Sequence, residues 1–115
     1  DQPHALVTIL GNLLENAIDA LEGVPDPTIT VALDYEEGSL FCVVKDNGKG
    51  IPPEVIPHIF ERGFSTKGTQ RGLGLYLVKQ SLAKLEDSSI ECRNNPDRGA
   101  SFIVTLPYAG KETEA

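Results

Sequence analysis

Between Leu6 and Leu21 the apolar residues Leu6, Ile9, Leu10, Leu13, Leu14, Ala17, Ile18 and Leu21 recur at three-to-four spacing. That period lines one side of an α-helix and would scatter over both faces of a strand. The chain is therefore read as opening with an amphipathic helix from Pro3 to about Glu22, started by Asp1 and Pro3 and ended by Gly23 and Pro25-Asp26-Pro27. On another face of the same helix Asn12, Asn16 and Asp19 keep the helical spacing and form a polar stripe.

The pattern then changes. Thr28 to Tyr35 alternates and is rich in β-branched residues, Glu36-Glu37-Gly38-Ser39 is a turn, and Leu40 to Val44 is a buried strand, so the two runs form a hairpin. Pro52-Pro53 opens a short helix reaching about Phe60, and Glu61 to Arg71 reads as a mobile loop with Gly63, Ser65, Thr66, Gly68 and Thr69. From Leu73, the residues Leu75, Leu77, Val78, Leu82 and Leu85 mark a second long helix ending near Glu86-Asp87. Ser88 to Arg93 and Ala100 to Leu106 are two more strands, joined by the turn residues Asn94-Asn95-Pro96-Asp97-Arg98-Gly99. Strands segregated into pairs between helices predict an α+β fold: a two-layer sandwich of a mixed, mainly antiparallel sheet with helices on one face. Residues 1–110 make one domain and Lys111 to Ala115 a fraying polar tail.

A chain of 115 residues, 40% apolar, suits a single core. Its formal charge of −7 and pI near 4.7 argue against nucleic acid or an anionic membrane surface as partner, since both select basic footprints. Cys42 and Cys92 stand far apart without a CxxC pair or clustered histidines, which favours buried reduced thiols over a metal site or a disulfide. No apolar run nears the roughly 18 to 20 residues that span a bilayer, and no signal peptide is seen, so the segment reads as soluble. It begins within a helix and is read as a fragment of a longer protein.

Three short patterns carry chemistry. Asn12 and Asn16, one helical turn apart, offer neutral amide oxygens to a hard cation or a phosphate-bound water; taken alone, such a pair is more often a solvated polar face or helix-packing amides. Asp46 ends a buried strand, where a carboxylate needs a donor such as an adenine amine, and Gly48 and Gly50 let the backbone turn close to a flat ring. Taken singly, the same residues describe an ordinary turn. Gly72 and Gly74 flank the start of the second long helix, whose N–H groups can face phosphate oxygens, and Lys67 and Arg71 add positive charge nearby.

In order and spacing these pieces resemble the catalytic ATP-binding domain of sensor histidine kinases, within the superfamily of gyrase, heat-shock-chaperone and mismatch-repair ATPases. Asn12-Leu13-Leu14-Glu15-Asn16-Ala17 resembles the family's asparagine box and Asp46-Asn47-Gly48-Lys49-Gly50-Ile51 its first glycine box. Ile59 to Lys67 is similar to the phenylalanine box, Arg71-Gly72-Leu73-Gly74-Leu75 to the second glycine box, and Gly99-Ala100-Ser101-Phe102 with Leu106-Pro107 to the closing segment. Within the family, the sequence is most similar to the citrate and four-carbon dicarboxylate sensor kinases.

The resemblance implies ATP and Mg²⁺ as ligands, with Asp46 accepting from the adenine amine, Asn16 on the metal and Asn12 beside the phosphates. Gly48, Gly50 and Ile51 would shape the adenine pocket. Phe64, Lys67, Arg71, Gly72, Leu73, Gly74 and Leu75 complete the nucleotide site, with Phe60 and Phe64 anchoring a lid rather than stacking on the base. The superfamily's hydrolases carry glutamate where this chain has Asn12. An amide takes no proton from water, so phosphoryl transfer is favoured over hydrolysis. Glu15 lies about 100° round the helix from Asn16 and is kept as a proton acceptor or polariser near the acceptor histidine. Ala100 replaces the usual threonine of the closing motif. His4 and His58 lack the context of a phosphoacceptor and read as surface residues.

Implied partners are a helical dimerisation domain of the same protein, which carries the acceptor histidine, and through it a response regulator. The isolated domain is expected to be monomeric and cytoplasmic, without membrane contact of its own, whether or not the parent is anchored in the inner membrane. Two alternatives share the motifs: an anti-sigma-factor serine kinase and a nucleotide-binding regulatory module without transfer activity.

Overall fold

The computed structural model describes residues 2–61 and 74–107, with side chains from Leu6 onward. The element order is α1 (Gln2–Ala20), β1 (Ile29–Glu36), β2 (Ser39–Asp46), a 3₁₀ turn (Ile56–His58), α2 (Gly74–Ala83), β3 (Ser89–Asn94) and β4 (Ala100–Pro107). The strands form one sheet in the order β1-β2-β4-β3, and all three pairings are antiparallel.

The expected hairpin is present, and its turn explains its register. Glu37 and Gly38 both have positive φ, 51° and 84°, the requirement of a two-residue type I′ turn whose twist suits the flanking strands. Glu36 therefore faces Ser39, and the ladder runs from there to Ile29 opposite Asp46.

Alternation along the central strands sets the core. Cys42 and Val44 of β2 and Phe102, Val104 and Leu106 of β4 are buried together against Ile9, Leu13 and Ala17 of α1 and Val78 and Leu82 of α2. Residues 9, 13 and 17 repeat at one turn, so α1 presents a narrow seam; Val7 and Ile18, on its flanks, are exposed. The helices pack on each other, α1 over β2 and α2 beside β3. Edge strand β1 is left largely uncovered: Val31 and Leu33 share a face with Val44 and Cys42, yet both are exposed.

Two elements are shorter than the periodicity predicts. The segment from Pro52 to Phe60 holds only the 3₁₀ turn, because Pro52, Pro53 and Pro57 have no N–H to donate to an α-helical ladder. Short bonds replace it, from the His58 N–H to the Val55 carbonyl and the Ile59 N–H to the Ile56 carbonyl. Helix α2 stops at Ala83, not near Asp87, where the chain tightens through Leu85 N–H to Leu82 C=O; the Ser88 hydroxyl lies 2.8 and 2.7 Å from the Leu82 and Leu85 carbonyls. Phe60 anchors the end of its segment edge-on to Phe102, with ring centroids 6.3 Å apart, and Lys79 Nζ stands 5.4 Å from the Phe60 centroid.

Leu13→Ala should cost about 2–5 kcal/mol by urea unfolding, as a large-to-small change in this core, whereas Val7→Ala should stay within about 0.5 kcal/mol. Equal losses would contradict the seam.

Candidate functional site

Asp46 is the last residue of β2 and is only 4% exposed. Its Oδ1 accepts the Gly48 N–H at 2.8 Å and the Ala100 N–H at 3.3 Å. Its Oδ2 accepts no hydrogen bond among the described residues. Because a buried polar atom without a partner is costly, that oxygen is fitted to receive a donor from a ligand.

The backbone around it leaves no room for side chains. A Cβ on Gly48 would stand 2.5 Å from the Ala20 carbonyl oxygen, so the loop after β2 presses on the end of α1. Asn47 ties the same loop to the α1–β1 connection: its Oδ1 accepts from the Thr28 N–H at 2.8 Å and its Nδ2 donates to the Asp26 carbonyl at 3.0 Å. Ile51 is held on both backbone groups by the Asn94 amide and packs its side chain against the core.

On α1, Asn12 and Asn16 are half-buried and one turn apart, while Glu15 is exposed. Asn12 Nδ2 donates to the Thr8 carbonyl at 2.9 Å, fixing the amide, and a Cβ on Gly74 would lie 3.3 Å from Asn12 Oδ1. The asparagine stripe thus meets Gly74, the first residue of α2. The Asn16 side-chain amide makes no hydrogen bond among the described residues. Among those residues no three His, Cys, Asp or Glu side chains cluster to hold a metal. An amide oxygen such as that of Asn16 is a neutral ligand type that hard cations accept.

α1 is therefore bounded at two points, by Gly48 at Ala20 and by Gly74 at Asn12. At 1.5 Å rise per residue these lie about 12 Å apart along the helix. Leu75 is half-buried against the core. Phe64, Lys67, Arg71, Gly72 and Leu73, with the expected mobile loop, lie outside the described residues. His58 is exposed and 2.9 Å from the Glu61 carboxylate.

The departure at Ala100 leaves the Asp46 anchor intact, because the group that reaches Oδ1 is a backbone N–H. Sequence reasoning missed Asn94, Asn95 and Arg98, which it took only as turn formers. Asn95 Nδ2 donates to the Asp46 carbonyl at 2.9 Å, and Arg98 Nε donates to the Asn47 carbonyl at 3.0 Å. Two adjacent asparagines before a Pro-Asp-Arg-Gly turn were the available signal, but long-range bonding cannot be told from turn propensity by composition.

Both cysteines are free. Burial pushes the Cys42 thiol up. Burial, then the carboxylates of Asp46 and Glu91, push Cys92 from 9.0 up to about 12.

The site sits in a known frame. Over residues 1–110 the sequence matches the family of histidine kinase-, DNA gyrase B- and HSP90-like ATPases, and the chain belongs to that family. It is 46% identical over 113 residues to the sensor histidine kinase DcuS of Escherichia coli K12, covering 98% of this chain and 21% of that protein. It is 44% identical over 109 residues to the sensor protein CitS of Halalkalibacterium halodurans, covering 92% of this chain and 20% of that one. The chain thus spans about a fifth of the length of these curated relatives. Among solved structures, a mycobacterial sensor histidine kinase, MprB, superposes with a TM-score of 0.77 at 30% identity, over 90% of this chain and 70% of that one. Full-length ShkA in complex with AMPPNP superposes at 0.78 and 27% identity, over 90% of this chain and 21% of that one. No described helix is long and apolar enough to cross a membrane.

The unfolded Cys92 thiol loses its proton near pH 9, while the folded one holds it to about pH 12, so the folded state binds more protons between these values and stability falls as pH rises. Urea midpoints should therefore drop more steeply over that window for the parent chain than for Cys92→Ala. Parallel curves would contradict the assignment.

Proposed function

We propose that this domain binds Mg-ATP and passes the γ-phosphate to a histidine on a helical dimerisation domain of a two-component sensor kinase, from which a response regulator takes it. The observation that carries the reading is the buried Asp46 carboxylate, with Oδ1 committed to two backbone donors and Oδ2 left for the adenine amine. The AMPPNP named with ShkA is an ATP analogue, and the sensor kinases DcuS and CitS supply the signalling context.

The proposed ligand lies along α1. Adenine sits at the Asp46 end, where Gly48 and Gly50 keep the wall low and Ile51 lines it. The phosphates reach the Asn12–Gly74 end, where the start of α2 offers N–H groups. Asn16 would hold Mg²⁺, which when bound neutralises phosphate charge and orients the chain for in-line transfer. Lys67, Arg71, Gly72, Leu73 and Phe64 are assigned to the phosphate side and lid from the motifs alone. Leu75 supports the start of α2 from beneath.

Asn12 directs the chemistry. Its amide donates to the Thr8 carbonyl and has no basic site to activate water, so hydrolysis is slow and the nucleotide persists until an acceptor arrives. Glu15, exposed and next to Asn16, is assigned the role of polarising or deprotonating an incoming imidazole. The domain contributes positioning and electrostatics, with no covalent intermediate of its own. A cytoplasmic location follows from this role.

In Asp46→Asn the Oδ1 position keeps its two backbone donors, so the new NH₂ group occupies the Oδ2 position and meets the adenine amine donor to donor. Calorimetry should show ATP affinity falling by about 100-fold or more, and Asn16→Ala should lose chiefly the Mg²⁺-dependent part of binding. Unchanged ATP affinity in the Asp46 variant sinks the adenine assignment. Binding without phosphorylation of an added dimerisation domain would reduce the function to a nucleotide-binding module.

A further inference from the structure

We infer that Asn94 and Asn95, the paired side-chain amides at the end of β3, are positioning residues that hold the Asp46–Ile51 loop in its nucleotide-ready shape. The inference rests on the proposed adenine contact at Asp46.

The loop leaves β2 without a strand partner beyond Asp46, so its backbone groups must find partners elsewhere. Asn94 supplies them at the far end. Its Oδ1 accepts the Ile51 N–H at 2.8 Å and its Nδ2 donates to the Ile51 carbonyl at 2.7 Å, a two-bond pair that imitates one rung of a ladder. Asn95 supplies them at the near end: its Nδ2 lies 2.9 Å from both the Asp46 and the Arg98 carbonyls. The Asn95 amide is itself fixed, because its Oδ1 accepts from the Ser101 hydroxyl and its backbone N–H donates to the Gly99 carbonyl at 2.8 Å.

A separate observation shows how closely this turn is pressed on the loop. Gly99 has φ of 85°, and a Cβ there would stand 2.0 Å from the Asp46 carbonyl oxygen; Gly50 has φ of 80°, and its Cβ would stand 3.0 Å from Asn94 Oδ1. The β3–β4 turn thus presses on the loop backbone at Gly99, and the Asn94 side chain closes on the loop at Gly50. Amides suit the task better than acids would: they donate and accept together, and they add no charge beside Asp46. A loop ordered before the ligand arrives spares binding the entropy of ordering it.

The test compares Asn95→Ala and Asn94→Asp, the latter keeping the acceptor for the Ile51 N–H while turning an acceptor toward the Ile51 carbonyl. Each is measured at a temperature where circular dichroism shows it folded, by ATP calorimetry and by amide hydrogen exchange without nucleotide. The expected result is about a tenfold loss of ATP affinity per variant, consistent with one to two hydrogen bonds. The Gly48 and Ile51 amides should exchange at least about tenfold faster, with Val104 in the core unchanged. ATP affinity within twofold of the parent overturns the inference, as does Val104 accelerating in step with the loop. Asp46→Asn run alongside separates the two claims: if it alone loses ATP, the clamp fails and the adenine contact stands, whereas if it binds ATP normally, the adenine contact itself fails.

Discussion

Asp46 lies almost wholly inside the protein with Oδ1 accepting from the Gly48 and Ala100 amides, and the placement of two elements follows from that arrangement. A carboxylate is tolerated at such depth only when donors surround it. The loop after β2 must therefore turn back at once to bring in Gly48, and β4 must begin beside the end of β2 to bring in Ala100. The first turn is crowded enough against Ala20 that only glycine fits at position 48. The same buried charge reaches Cys92 and, with burial and Glu91, keeps its thiol protonated.

The core serves this arrangement by fixing α1. Ile9, Leu13 and Ala17 lock one side of the helix against the central strands, and Val78 and Leu82 of α2 complete the seal. With that side fixed, the rotation of the polar stripe is fixed as well, and Asn12 comes to lie against Gly74. Stability and site geometry are joined here. A change that let α1 roll would carry Asn12 away from Gly74.

Much of this was legible from residues alone. The switch from helical to alternating periodicity between Leu21 and Thr28 located α1 and the hairpin, and Gly38 after a Glu-rich stretch marked its turn. The motif order led to the family to which the chain belongs. Less legible was the extent of short elements, because Pro57 inside Pro52 to Phe60 removes a donor that the apolar period does not register, and α2 already ends at Ala83, with the Ser88 hydroxyl within reach of the Leu82 carbonyl. Site residues with distinctive chemistry, Asp46 and the asparagine stripe, stood out; Asn94 and Asn95 did not, since their partners lie 43 and 49 residues away. Local sequence reports propensity, whereas those bonds exist only once the sheet has brought β2 and β3 to either side of β4.

The proposed hydrogen bond from the adenine amine to Asp46 Oδ2 can be removed from the ligand side without touching the protein. Purine riboside triphosphate is ATP without its 6-amino group and keeps the ring, ribose and phosphates. Calorimetric titration of the unaltered chain with each, in the presence of Mg²⁺, isolates that one hydrogen bond. The analogue should bind about 100-fold more weakly than ATP, because the buried oxygen is left without a donor. Equal affinities would contradict it.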